Sequence, residues 1–175
     1  MRATLRLTAM AVLATGLLTG CSQTVPLQPA THAADPDCAA VTARLPETVD
    51  DSGVFLQRET NAQGTSAWGS PAAVILRCGV EVPDPTASLD CITLDGIDWL
   101  RDPEDDPNFV FTTYGRDPAI EVIVNSLDAS GTNALQDLAS AISIIPADRA
   151  CVAPEDVFGE FGGEDTPTPE ATPAD

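Results

Sequence analysis

The sequence predicts an α+β domain: a small, mostly antiparallel sheet of hairpins with a helix at each end, braced by disulfides. Three observations carry this expectation. Two hairpin patterns follow one another between residues 91 and 124. A helical pattern stands before the strand-rich stretch and another after it. Cysteines are spread over the same stretch at positions 38, 78, 91 and 151. Helices outside and strands between imply a sheet packed on one face by the closing helix.

The opening helix starts at Asp35, a residue able to cap it, with Pro36 at the first helical position. Cys38, Val41 and Leu45 fall on one face, and Pro46 ends the pattern. Residues 54–59 read as a strand. Trp68-Gly69-Ser70-Pro71 reads as a turn carrying an aromatic. The run from Ala72 to Val80 is apolar on both faces except at Arg77, so a central strand covered on both sides is expected. In the stretch Cys91 to Leu100, Asp95-Gly96 accepts the positive φ angles of a two-residue type I′ turn. That turn sets Leu94 opposite Ile97 and Ile92 opposite Trp99. A second hairpin runs from Phe109 to Tyr114, turns over residues 115–118, and returns from Ala119 to Val124. Residues 101–108 between the hairpins read as a charged loop. In the closing helix, Thr132 or Asn133 is the expected cap. Leu135, Leu138, Ile142 and Ile145 form its apolar stripe, and Pro146 stops it.

The first residues set the compartment. Arg2 and Arg6 precede an apolar run that closes on Leu18-Thr19-Gly20-Cys21. The run is shorter than the roughly 20 residues a membrane span needs. Its charged start and small residues before the cysteine fit a cleaved export signal. The pattern resembles a bacterial lipobox. Residues 1–20 are therefore expected to be a signal peptide, and Cys21 to carry a diacylglyceryl thioether with a palmitate-type amide-linked chain. Two or more acyl chains hold a protein stably to a membrane. Residues 21–34 read as a flexible tether, 35–152 as one domain, and 153–175 as a disordered tail. That tail holds seven acidic residues, no basic ones and three Thr-Pro steps.

Composition narrows the function classes. There is no Lys, and the chain beyond residue 20 keeps six Arg against 27 acidic residues, a formal charge of −21. Nucleic acid is not an expected partner, because phosphate binding relies on Lys and Arg. Beside Cys21, the even number of cysteines in an exported chain implies two disulfides. Four cysteines allow three pairings. The expected one joins Cys78 to Cys91 between adjacent strands and Cys38 to Cys151 across the domain. No metal or cofactor is implied: no CxxC pair occurs, and the one histidine, His32, lies in the tether.

No catalytic residue is assigned. Nucleophilic catalysis of the Ser-His or Cys-His kind needs a histidine beside the nucleophile, and His32 is placed far from one. The carboxylates Asp95, Asp98, Asp102, Glu104, Asp105 and Asp106 are dense. Asp95 is explained by the hairpin turn and the others by a solvated loop. Calcium at residues 102–106 is a minor option, because the stretch lacks the oxygen spacing and glycine of an EF-hand loop. The candidate ligand-binding set is Trp68, Arg77, Trp99, Tyr114 and Arg116. Arginines suit an anionic group and aromatics a sugar or peptide face. The structural reading of the same set is favoured: tryptophans in the core, arginines paired with nearby acids.

The early Cys-Ala-Ala helix carries the first part of a resemblance. Ala67-Trp68-Gly69-Ser70-Pro71, Leu76-Arg77-Cys78-Gly79-Val80, Leu94-Asp95-Gly96-Ile97-Asp98-Trp99 and residues 112–118 follow it in order. Together, from Cys38 to Ile145, they resemble the actinobacterial exported proteins known as domain of unknown function 3515. The resemblance implies an envelope protein, with no established activity and no catalytic residues to carry over. The expected function is a membrane-anchored, noncatalytic binding or accessory module contacting an envelope protein or a cell-wall component. The alternative is a hydrolase of wall material using carboxylates of residues 95–106.

Overall fold

The computed structural model describes residues 23–50, 55–84, 89–102 and 106–151. The export signal, Cys21, Glu104, Asp105 and the acidic tail lie outside the described residues.

The predicted class is what the chain forms. Helix α1 (Pro36–Thr42) opens the domain. Strands β1 (Thr48–Val49), β2 (Phe55–Arg58), β3 (Thr65–Trp68), β4 (Val74–Val80), β5 (Asp90–Leu94), β6 (Ile97–Asp102), β7 (Asn108–Thr113) and β8 (Ala119–Asn125) follow. Helix α2 (Gly131–Ile142) closes it. The eight strands form one sheet in the order β1-β2-β3-β4-β8-β7-β6-β5, with every neighbouring pair antiparallel. Two four-stranded meanders therefore meet along β4 and β8. The link from β4 to β5 passes from mid-sheet to the far edge.

Local chemistry explains most boundaries. The Asp35 side chain accepts the Asp37 N–H and Pro36 starts α1, as its sequence predicts. The Asp95-Gly96 turn has φ of 47° and 75°, both positive as a type I′ turn requires. The register sets Leu94 opposite Ile97 and Ile92 opposite Trp99. β7 and β8 form the second predicted hairpin. The expected charged loop before it is shorter, because Arg101 and Asp102 still pair with Phe111 and Val110.

Four local expectations are corrected. The cap of α2 is Ser130, whose hydroxyl accepts the Asn133 N–H, and not Thr132 or Asn133. Trp68 ends a strand, β3, instead of standing in a turn. β4 is central, yet its two faces differ: Val74, Leu76 and Cys78 are buried, whereas Ile75 and Arg77 are half-buried. One face carries the core and the other is partly open. The described part of the expected tether also lies against the sheet. Val25 pairs with Thr60, its N–H donating to the Glu59 carbonyl, and the His32 N–H donates to the Gly79 carbonyl.

The core sits between the sheet and the helices. Leu135, Leu138 and Ile142 of α2 pack with Ile145, Leu76, Ile120 and Val122. Each such aliphatic side chain contributes about 1.5–3 kcal/mol on burial. Asp50, where β1 ends, ties the sheet edge to the start of α2. Its carboxylate accepts from the Asn133 side chain at 2.9 Å, and its N–H donates to Asp137 at 2.7 Å.

The disulfides are Cys38–Cys78 and Cys91–Cys151. The expected pairing of Cys78 with Cys91, and of Cys38 with Cys151, is overturned. It assumed that the strands carrying Cys78 and Cys91 are neighbours. They are four strand spacings apart, about 19 Å, beyond the roughly 7 Å Cα limit of a disulfide. Cys78 instead faces the core, where α1 brings Cys38 to it with Cα atoms 5.5 Å apart.

Replacing Cys38 and Cys78 together by Ala should lower the unfolding free energy by about 3–4 kcal/mol in urea titration, since the bridge closes a long loop. Cys38 and Cys78 are fully buried, whereas Cys91 is exposed. A soluble thiol should therefore open Cys91–Cys151 first. Alkylation mapped by peptide mass spectrometry reads the order, and opening of the buried bridge first would contradict the fold.

Candidate functional site

The five candidate residues divide between the core, the open sheet face and one end of the sheet. Trp68 ends β3 with its ring fully buried, and its indole N–H donates to the Pro46 carbonyl at 3.0 Å. Arg77 projects from the opposite face and pairs with Glu121, its register partner on β8, at 2.8 Å. Neither lies with the other three.

Trp99, Tyr114 and Arg116 gather around the β5–β6 hairpin. Trp99 is fully buried on β6, and its indole nitrogen has no hydrogen-bond partner among the described residues. The Tyr114 N–H donates to the Asp98 carbonyl, and the Arg149 guanidinium lies over the Tyr114 ring, 5.7 Å from its centre. Arg116 follows Gly115 in the β7–β8 turn and is 6% exposed. One terminal nitrogen donates to the Ile145 carbonyl and the other to the Gly96 carbonyl. Burial lowers the Arg116 pKa, and the charge of Asp98 opposes that shift.

Asp98 is the residue that sequence reasoning misplaced. Its acidic neighbourhood reads as a solvated loop, but it sits half-buried in β6. Its carboxylate accepts the Thr93 hydroxyl and, at 2.8 Å, the Cys151 N–H. The period-two pattern Ile97-Asp98-Trp99 already carried the signal, since it put Asp98 within a strand. Arg149 was missed because nothing local marks it. Its neighbour Asp148 donates its N–H to the Gly115 carbonyl, and Ala147 bridges Arg116. The C-terminal strap from Ile145 to Cys151 is thus laid across the β7–β8 turn and bolted to β5 by the disulfide.

Gly115 makes this possible. Its φ is 71°, and a Cβ there would fall inside the backbone of Arg149. The assembly is a cationic clamp: a buried guanidinium fork on two carbonyls, with a carboxylate nearby. One terminal nitrogen of Arg116 and one carboxylate oxygen of Asp98 hold the strap, at Ile145 and Cys151, and Asp95 is taken up by the hairpin turn. Elsewhere, His32, Asp35, Glu81 and Asp117 line a polar cleft together with Val80 and Val82. Among the described residues no group of three His, Cys, Asp or Glu is placed to hold a metal ion.

Arg116→Ala should destabilise the domain by about 1–3 kcal/mol, because it leaves the buried Ile145 carbonyl without its donor and removes the contact to the Gly96 carbonyl. Arg116→Lys should recover less than half of that loss, since an ammonium cannot span two carbonyls as the planar fork does. Urea midpoints of the three proteins measure both effects, and full recovery by Lys would refute the fork. Gly115→Ala should weaken the same strap, seen as faster hydrogen exchange at the Asp148 amide than in the parent.

A family model described as "Protein of unknown function (DUF3515)" matches residues 3–150. No curated protein and no solved structure matches the chain. The family match contains all five candidate residues and the β4 and β5–β6 motifs quoted above, and extends past both ends of the stretch that suggested the resemblance. The chain belongs to this family of proteins of unknown function.

Proposed function

We propose that the chain is a membrane-anchored lipoprotein of the cell envelope, acting as a noncatalytic binding or accessory module outside the cytoplasmic membrane. The carrying observation is the distribution of its cysteines. The two disulfides take up Cys38, Cys78, Cys91 and Cys151, which leaves Cys21, the cysteine that closes the lipobox pattern. Disulfides persist in oxidising compartments, so paired cysteines and an export signal support the same location.

Of the carboxylates that suggested an enzyme, Asp95 and Asp98 have other work. Asp98 is spent on the Thr93 hydroxyl, the Cys151 amide and the Arg116 field. A general acid or base must instead reach a substrate proton. The partner class is an envelope protein or a cell-wall component, met by a small acidic domain held at the membrane.

Cys21→Ser should release the protein from the membrane fraction into the medium or the wash. The parent should pellet with membranes and show the mass of an acylated N-terminal peptide. A mutant that still pellets, or a parent peptide without acyl mass, would refute the anchor.

A further inference from the structure

The place where the N-terminal segment docks fixes which end of the domain meets the membrane. Val25 is bridged to Thr60 in parallel, so the chain followed back from Val25 to Gln23 runs past Glu59 toward Arg58, the last residue of β2. Arg58 marks the next step of that path. One of its terminal nitrogens donates to the Gln23 carbonyl at 2.6 Å and the other to the Gly69 carbonyl at 2.9 Å. Cys21 is two residues further back, and two residues span at most about 7 Å. The acylated residue is therefore leashed to the end of the sheet where β2 begins and β3 ends.

That end carries unusual apolar exposure. Phe55, Leu56, Arg58, Gly69 and Ser70 line a shallow, mainly apolar cleft there. Leu56 is 65% exposed and Leu127 is 78% exposed, the two highest values among large hydrophobic side chains of the described residues. They share one end of the sheet, as the hydrogen bonds show. The Gly69 N–H donates to the Leu56 carbonyl, and the Asn125 N–H donates to the Ala73 carbonyl of the β3–β4 turn. The Arg116 clamp lies at the opposite end.

We infer that this end of the sheet, with Leu56, the β3–β4 turn and Leu127, is seated on the lipid surface to which Cys21 is anchored. The inference rests on the lipid-anchor reading and adds the orientation of the domain. The interfacial layer is only about 5–8 Å deep on each side of the hydrocarbon, and a lipid-bearing cysteine resides in it. A leash of the length above brings the Leu56 cleft to the same depth. The matching surface is zwitterionic. Asp128, held by the Asn125 side chain at 2.8 Å, follows Leu127, and Asp106 precedes the Pro107 that accepts from Ser126. An anionic headgroup layer would oppose these carboxylates.

The test places an indole reporter at each end of the full-length acylated protein. Leu56→Trp and Ile144→Trp are each reconstituted in phosphatidylcholine vesicles whose acyl chains are brominated, a contact quencher of indole. Ile144 is 37% exposed and adjoins Ile145, whose carbonyl Arg116 holds at the far end. The parent, whose Trp68 and Trp99 are fully buried, supplies the background. The Trp placed at 56 should lose most of its added emission, and the Trp placed at 144 should keep its own. Circular dichroism confirms that both variants are folded, and Leu127→Trp serves as a second reporter should Leu56→Trp fail to fold. Acylated protein in which the reporters at 56 and 127 stay bright, or in which 56 and 144 are quenched alike, overturns the orientation alone. Protein that lacks acyl mass overturns the anchor, and the orientation with it.

Discussion

The β4–β8 ladder is the contact on which the rest of the structure depends. Each meander alone is four strands with one greasy face. Their shared seam makes the surface broad enough for both helices. Val74, Leu76 and Cys78 of β4 stand opposite Val124, Val122 and Ile120 of β8, and these pairs form the floor of the core. The seam is also where the first disulfide enters, through Cys78, and where Arg77 and Glu121 pair on the other face. Because β8 is late in the chain and β4 early, the seam is a long-range contact. Such contacts require loop-closure entropy to be met before they return any burial.

The two chain ends are secured by the same combination. At each, a positive-φ glycine lets a terminal segment approach the sheet backbone, and a disulfide lies close by. Gly79 (φ 89°) leaves no room for a Cβ beside His32 and Ala33, and it follows Cys78. Gly115 does the same beside Arg149, two residues before Cys151. A side chain at either glycine would meet backbone, which cannot step aside. The described N-terminal segment and the C-terminal strap are thereby made parts of the domain.

Legibility of the site followed the range of the contacts involved. Trp68 and Trp99 suit a core because a large ring removes much apolar area from water. The Arg77–Glu121 pair is a cross-strand neighbour relation, readable once β4 and β8 are known to adjoin. The Arg116 clamp was not readable, since its acceptors at Gly96 and Ile145 are backbone carbonyls 20 and 29 residues away. A backbone carbonyl leaves no trace in the identity of its residue.

The sequence by itself determined the fold class, the two hairpins and the register of the first, the cap of α1 and the apolar stripe of α2. Each of these arises from interactions within a few residues, where side-chain period and turn chemistry are decisive. Only the tertiary structure decided that β4 adjoins β8, and hence which cysteines meet, which face of β4 is closed, and where the terminal segments lie. The physical reason is that antiparallel pairing is chemically permissive along the backbone. Many strand orders satisfy the same hydrogen bonds, and the choice among them is made by burial summed over the whole sheet.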